Sequence, residues 1–226
     1  MINKSSKILC IVAHPDDEVL GLGGTLIKHS LNGDSVDIVF LSDGEGSKKD
    51  NINKNRLDNA KICSKIMGSK IYKIFDFPDQ KLDTVAKIEI IKSIEDVLYK
   101  VQPDIIYTHH IGDINHDHQI VGHAVLTALR PLNNNIKNAE IRFFETPSST
   151  EQSPNIDQYL FKPNFYVSIT KEWKIKLKAL DAYKNELGVF PHPRSIKSIE
   201  ALAIKRGSES GLEKAEAIQI IRKFWL

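Results

Sequence analysis

The sequence predicts an α/β protein of the Rossmann-like class, with a mostly parallel sheet and helices on both faces. Short apolar runs rich in β-branched residues, typical of strands buried on both faces, alternate along the chain with longer segments of helical periodicity. A strand, a helix and a second strand form a right-handed crossover unit, and repeated units build a parallel sheet. The chain has 226 residues, 41% of them hydrophobic, which is enough for one such sheet with a sizeable core.

Four strands and four helices are predicted in the first 130 residues. The strands are apolar runs bounded by turn residues, and the helices show apolar residues at spacings of three and four. The second helix is expected to stop at Gly68. In chain order the elements are a strand at 7–13, a helix at 20–29, a strand at 35–44, a helix at 56–67, a strand at 70–75, a helix at 83–99, a strand at 103–110 and a helix at 118–129.

The pattern changes after Pro131, which predicts an extension of the same domain. We expect one domain over 1–226, with a core at about 1–130 and a C-terminal extension at 131–226. The last segment, EAIQIIRKF, is compatible with either a strand or a helix. Before it, we predict strands at 140–145 and 164–169, a helix at 171–185, a break at the PHPRS sequence (191–195) and a resumed helix at 196–206.

Charge and cysteine content exclude several classes of protein. Thirty-one Lys and Arg against 29 Asp and Glu give a net charge of +2, which offers no electrostatic argument for a nucleic acid partner. Cys10 and Cys63 lie in apolar stretches without CxxC spacing, as expected in a reducing compartment. The apolar run from Ile8 to Ala13 is too short for a signal peptide or a membrane span. We therefore expect a cytoplasmic protein, for which homo-oligomer formation is compatible with the sequence.

Two polar loops follow predicted strands. The first, His14 to Glu18, places one imidazole and three carboxylates after the first strand, an arrangement that is unfavourable unless a cation lies among them. The second, His109 to His118, holds four His and two Asp after the fourth strand. Ligands bind beyond the carboxyl ends of such strands. If the strand order reverses between strands one and four, the two loops face each other.

These loops can supply a catalytic zinc site, which needs three protein ligands and an open fourth position. His14 and Asp17 can reach one metal from a single tight turn, and His118 can complete the set from the start of a helix. Asp16 then remains beside the metal, free to act as a base on water. The alternative is an ordinary polar turn in which an Asp caps the following helix.

The motifs AHPDDEVLGLGG (13–24), FPD (77–79) and DHQ (117–119), together with Arg56, resemble the PIG-L or LmbE-like zinc-dependent N-deacetylases. That family removes acetyl groups from N-acetylglucosamine units of small conjugates. The resemblance runs from Lys7 to at least His118. It implies zinc, or Fe²⁺ on the same ligands, held by His14, Asp17 and His118. It also implies that Asp16 is the general base and that Arg56 binds substrate.

One position departs from the family pattern, whose second motif usually reads HxxH. The first His of that motif corresponds to Asn115, which can donate a hydrogen bond but cannot transfer a proton at neutral pH. Either Asn115 stabilises the oxyanion only, or a neighbouring histidine, His110, His116 or His192, is the acid. Asp79, a natural turn residue, and His192, between two prolines, are also candidate substrate-binding residues.

The sequence thus predicts a metal-dependent hydrolase that removes the N-acetyl group of an amino sugar or its conjugate. A hydrolase of another acyl group, and a sugar- or nucleotide-binding module with a structural metal, are the alternatives. The free carboxylate of Asp16 next to Asp17 favours an enzyme. Gly21, Gly23 and Gly24 do not match the nucleotide-binding GxGxxG spacing, and we interpret them as close helix packing.

Overall fold

A computed structural model of the chain describes residues 5–46, 55–131 and 135–225. Within them a seven-stranded sheet is flanked by six α-helices. The strands are β1 (Lys7–Val12), β2 (Ser35–Phe40), β3 (Lys70–Ile74), β4 (Ile105–His109), β5 (Glu140–Phe144), β6 (Phe165–Ser168) and β7 (Ala215–Arg222). The helices are α1 (Asp17–Leu31), α2 (Arg56–Met67), α3 (Lys87–Val101), α4 (His116–Ala128), α5 (Trp173–Asp181) and α6 (Ile196–Ser210).

The strand order is β3-β2-β1-β4-β5-β7-β6. The first five strands are parallel, whereas β7 runs antiparallel to both β5 and β6. The predicted Rossmann-like, mostly parallel sheet is therefore confirmed. The order reverses between β1 and β4, because the chain moves outwards to β3 and then returns to pair with β1 on its other edge. The loops after β1 and β4 consequently open at the same crevice.

The two faces of the sheet bury separate apolar clusters. Along β1, Ile8, Cys10 and Val12 face a cluster formed with α1, α2, α5 and α6. The alternate residues Leu9 and Ile11 face the cluster under α3 and α4. Such a two-residue period, with both sets fully buried, is what a central strand requires. Helices thus cover both faces, as predicted.

Some element boundaries differ from the sequence prediction. Helix α1 begins at Asp17 rather than at residue 20, since its first turn is acidic and favoured by the helix dipole, which apolar periodicity does not detect. Helix α3 begins at Lys87 because Leu82–Thr84 form a separate 3₁₀ turn. The ambiguous C-terminal segment is the strand β7. No helix within the described ranges is long and apolar enough to cross a membrane.

A buried carboxylate attaches β7 to α1. Glu216 accepts hydrogen bonds from the backbone nitrogens of Gly24 (2.8 Å) and Thr25 (2.7 Å), and Lys176 of α5 lies 2.7 Å from it. A Cβ at Gly24 would lie 2.7 Å from Cβ of Ile169 and 3.1 Å from Glu216. Glycine therefore allows the extension to approach α1 closely, and close helix packing is confirmed as a role of Gly24.

Candidate metal centre

The three predicted ligands meet where the loops after β1 and β4 converge. Asp17 Oδ2 lies 3.3 Å from His14 Nδ1 and 3.3 Å from His118 Nε2. A set of ligand atoms from these three residues lies within 4.8 Å of one another, and all three side chains are buried. The tight turn supplies His14 and Asp17, and the first turn of α4 supplies His118. This is the geometry of a mononuclear site with two nitrogen ligands and one oxygen ligand.

Each histidine ring directs its other nitrogen at a second carboxylate. His14 Nε2 lies 3.1 Å from Asp117, and His118 Nδ1 lies 3.3 Å from Asp113. Metal-binding histidines are commonly held by such carboxylates, which fix the ring orientation and leave the other nitrogen for the metal. Asp17 Oδ1 and His118 Nε2 are buried and make no hydrogen bond within the described residues. The donor set therefore fits a divalent cation.

The electrostatics of the cluster also favour positive charge. Burial lowers the pKa of His14, but Asp117 and Asp17 outweigh it and raise that pKa to about 9. Asp17 and Asp113 likewise overcome burial and raise the pKa of His118 to about 10. Although burial opposes it, the neighbouring imidazoles, His118 above all, hold the pKa of Asp17 well below its usual value. The carboxylates thus create a strongly negative local field, which a bound metal cation would neutralise.

The carboxylate that orients His14 is itself fixed by backbone. Asp117 accepts hydrogen bonds from the backbone nitrogens of Gln80 (2.8 Å) and Leu82 (3.1 Å). Asp79, predicted to bind substrate, is buried in the same turn with Oδ1 3.2 Å from His14 Nε2. The structure therefore brings Asp79 to the metal centre.

The carboxylate behind His118 is held in the same way. Asp113 accepts hydrogen bonds from the backbone nitrogen of Asn115 (2.8 Å), from Thr150 Oγ1 (2.7 Å) and from Ser149 Oγ. Asn115 is the N-cap of α4, where its Oδ1 accepts from the backbone nitrogen of Asp117 at 2.9 Å. Asn115, which stands where the family's HxxH motif has its first His, thus caps the helix that carries His118.

Asp16, the predicted base, lies beside the ligands in an unusual backbone conformation with φ of 119°. Its backbone nitrogen donates to Glu18 at 2.9 Å. Its Oδ2 accepts from Arg56 at 2.9 Å and from Arg194 at 3.0 Å, and Arg56 also contacts Glu186 at 2.9 Å. Burial raises the pKa of Asp16 although both arginines oppose the shift. Arg56 thus reaches the site through Asp16.

Three predicted residues are not brought to the ligands by any described contact. His110 is buried, with Nε2 3.1 Å from the carbonyl oxygen of Tyr159, and burial lowers its pKa. His116 is exposed at the first residue of α4. His192 is also exposed, and its Nδ1 accepts from the backbone nitrogen of Arg194. None of the three has a described contact with Asp16 or with a ligand.

Several residues of the site were missed by sequence reasoning. The His109 ring stacks on His118 at 3.8 Å, and its Nε2 accepts from the backbone nitrogen of Ala13 at 3.0 Å. Burial, reinforced by His118, lowers the pKa of His109 to about 4, so this ring is neutral. Gln80 and Arg194 were also missed. His109 directly precedes His110, and Arg194 follows His192 by two positions. This closeness to predicted residues is the sequence signal that could have identified them.

Comparison with known proteins finds relatives that cover almost the whole chain. The chain is 28% identical over 240 residues to a diacetylchitobiose deacetylase of Thermococcus kodakarensis, covering 99% of this chain and 86% of that protein. The N,N′-diacetylchitobiose deacetylase from Pyrococcus horikoshii, solved with an inhibitor, has a TM-score of 0.78 at 23% identity, covering 97% of this chain and 85% of that one. GalB, a 4-carboxy-2-hydroxymuconate hydratase from Pseudomonas putida, has a TM-score of 0.79 at 22% identity, covering 98% of each chain.

The two solved structures have the same fold as this chain. One is a deacetylase and the other a hydratase, so the fold alone does not determine the reaction. The family assignment comes from the sequence. The model of one family, described as GlcNAc-PI de-N-acetylase, matches residues 9–129, slightly more than half of the chain, and this segment includes Asp16 and all three predicted ligands. The chain therefore belongs to the PIG-L family, as the motifs after β1 and β4 had indicated.

Proposed function

We propose that this protein is a metal-dependent N-deacetylase acting on an N-acetylated amino sugar or a conjugate of one. The observation that carries the proposal is the buried set of His14, Asp17 and His118 with the carboxylate of Asp16 beside it. Family membership and the deacetylase relative from Thermococcus support this reaction. A purely structural metal would not require a second carboxylate next to its ligand.

We propose zinc as the metal, because two imidazoles and one carboxylate are ligands that suit it. Fe²⁺ could use the same ligands. A bound ion would supply Lewis acidity towards the acetamide carbonyl and towards water. Asp117 and Asp113 keep the two imidazoles oriented for it, and the turn at 14–17 fixes Asp17.

The reaction adds water to the acetamide carbon and breaks its bond to nitrogen, which gives acetate and a free amine. Asp16 would accept the proton that water loses, since it is adjacent to Asp17, is not a predicted ligand and, unlike Asp113 and Asp117, does not orient a ligand imidazole. Arg56 would hold Asp16, and Asp79 lies near enough to His14 to contact a substrate at the same crevice. Asn115 remains a candidate oxyanion donor, and His110, His116 and His192 remain candidate acids or substrate contacts.

The substrate class follows from the relatives rather than from the site. Diacetylchitobiose is the substrate named for the Thermococcus protein, so its N-acetylglucosamine unit is the first compound to test. The hydratase with the same fold defines the second candidate, in which water adds to a carbon–carbon double bond of an unsaturated acid. A cytoplasmic location, which suits the buried free thiols of Cys10 and Cys63, and a homo-oligomer stay predictions.

The test is acetate release by the zinc-loaded protein from N-acetylglucosamine, diacetylchitobiose and a nucleotide-linked N-acetyl sugar. We expect turnover on at least one of them, loss of turnover after chelation and recovery on adding zinc. The Asp16→Asn variant should bind as much metal but lose about 10²–10⁴-fold in kcat, because an amide cannot accept the proton.

The Asp34→Asn variant is the matched control, since Asp34 pairs with His29 at 2.6 Å, outside the site. The candidate acid is tested separately with His110→Gln, whose unchanged kcat would remove His110 from that role. If the protein hydrates an unsaturated acid and releases no acetate, we would conclude that it is a hydratase and not a deacetylase.

A further inference from the structure

An arginine of the C-terminal extension reaches the candidate site from outside the segment that matches the family. Arg194 precedes Ser195, the N-cap of α6, and lies beyond residues 9–129. Its Nη1 donates to Asp16 Oδ2 at 3.0 Å, and its Nε donates to Ser148 Oγ at 2.6 Å. The guanidinium thus connects the loop after β5 to the carboxylate beside the metal ligands.

Arg194 belongs to a cluster of two cations and two anions. Arg56 Nη2 lies 2.9 Å from both Asp16 Oδ2 and Glu186 Oε2, and Arg194 completes the group. Glu186 and Arg194 come from the extension, whereas Asp16 and Arg56 come from the core. Arg56 is the more buried cation, with 9% of its side chain exposed against 21% for Arg194. Each segment contributes one cation and one anion, and two of the ion pairs, Arg56–Glu186 and Arg194–Asp16, cross between core and extension.

Both arginines contact the same oxygen of Asp16, Oδ2, and the other oxygen takes part in neither contact. Two planar donors on one oxygen fix the rotation of the carboxylate. The backbone of Asp16 adds a reason for this support, because a φ of 119° at a non-glycine residue is strained and persists only where its surroundings hold it.

We propose that Arg194 is a positioning residue that holds Asp16 in its working orientation, so that the extension completes a catalytic site otherwise supplied by the core. This inference rests on the proposed function, in which Asp16 accepts a proton from water. Without Arg194, Arg56 alone would hold Oδ2 and the carboxylate would reach other rotations. The ligands make no described contact with Arg194, so metal binding would be unaffected.

The test compares zinc-loaded Arg194→Ala with wild type on a substrate that wild type deacetylates. We expect kcat to fall by about 10²-fold, as misplacement of a catalytic group can cause, with KM and metal content little changed. The Arg194→Lys variant should recover little, because one ammonium cannot replace a fork that contacts Asp16 and Ser148 together. Added guanidinium ion at millimolar concentration should raise the rate of Arg194→Ala but not that of wild type.

Arg206→Ala is the matched control. Arg206 is also an arginine of the extension, and it pairs with Glu145 through two hydrogen bonds of 2.7 Å without a described contact to Asp16. The Arg206→Ala variant should lower Tm and leave kcat unchanged. A wild-type kcat in Arg194→Ala, or an equal loss of kcat in Arg206→Ala, would overturn the positioning role.

A second measurement does not depend on activity. The Tm loss caused by Arg194→Ala is measured in wild type and again in the Asp16→Asn background. Because the two side chains contact each other, we expect a clearly smaller loss in the second background. Equal losses would contradict the inference. A wild-type protein that releases no acetate would contradict the proposed function instead, and the Tm comparison would then decide on the Arg194–Asp16 contact.

Discussion

At the scale of single residues, the candidate site places carboxylates behind the imidazoles of its predicted ligands. Asp113 aligns His118 through the ring nitrogen that faces away from Asp17, and it accepts hydrogen bonds from Thr150 and from the backbone of Asn115. This network decides where His118 Nε2 points. The metal affinity should therefore be sensitive to Asp113 as well as to the ligands.

We expect Asp113→Asn to weaken zinc binding by about 10–100-fold, because the amide replaces a charged acceptor behind His118. Competition with a chromogenic chelator measures the affinity. Asp34→Asn is the control, since Asp34 pairs with a different histidine, His29, at 2.6 Å, outside the site. Unchanged zinc affinity in Asp113→Asn would show that packing against His109 alone orients His118.

The sequence was sufficient to predict that His14, Asp17 and His118 come together. His14 and Asp17 are three residues apart in one turn, and His118 lies in the first turn of the helix after β4. Their supporting partners could not be predicted in the same way. His109 and Asp113 lie in the same loop as His118 and contact it through a ring stack and a buried carboxylate, whereas Arg194 reaches Asp16 from the extension. Such contacts depend on how the loop folds and how distant segments pack, which residue spacing does not encode.

At the scale of elements, α1 is unusual in carrying three glycines at its buried face. A Cβ at Gly21 would lie 2.6 Å from Cε2 of Phe144 and 2.7 Å from the carbonyl oxygen of Glu145. The carbonyl oxygen of Glu145 has little room to move, because it belongs to the backbone directly after β5. Gly23 differs, because its Cβ would meet side-chain atoms of Val19 and Lys176 at 3.0 and 3.2 Å.

We expect Gly21→Ala to destabilise the protein by about 1–3 kcal/mol through overpacking. Gly23→Ala, in the same helix, should change stability by less than about 0.5 kcal/mol, because the gain in helix propensity offsets a contact that flexible side chains can relieve. Urea unfolding of both variants measures the difference. Equal losses would indicate that α1 moves freely relative to β5.

The strands and helices could be predicted from the local sequence wherever a clear apolar pattern marks the buried residues. Strand β1 is a continuous apolar run after Lys7, and α3 places Ile90, Ile94 and Val97 on one buried face. The C-terminal segment could not be decided because AEAIQII suits either a strand or a helix. Its conformation is set by antiparallel pairing with β5 and β6, which lie far away in sequence.

At the scale of the whole molecule, core and extension share one sheet and both apolar clusters. Cys10 and Phe40 of the core pack in the same cluster as Tyr183 and Ile218 of the extension. The buried pair of Lys176 and Glu216 adds a polar attachment to α1. Separation of the two parts would expose both apolar faces and leave buried charges unpaired.

We therefore expect a single cooperative unfolding transition, with equal calorimetric and van't Hoff enthalpies, because neither part buries its apolar face alone. Differential scanning calorimetry measures both quantities. A fragment ending at residue 130 should show little fixed tertiary structure by near-ultraviolet circular dichroism. Two separate transitions, or a folded fragment, would show that the extension is an independent domain.

The place of β7 inside the sheet has a consequence for synthesis. Among the described strands, β6 pairs only with β7, yet ribosomes produce residues 165–168 well before residues 215–222. At about 5–20 residues per second this leaves an interval of several seconds. During it the nascent chain exposes the open edge of β5 and an unpaired β6, which is when chaperones would have most to shield.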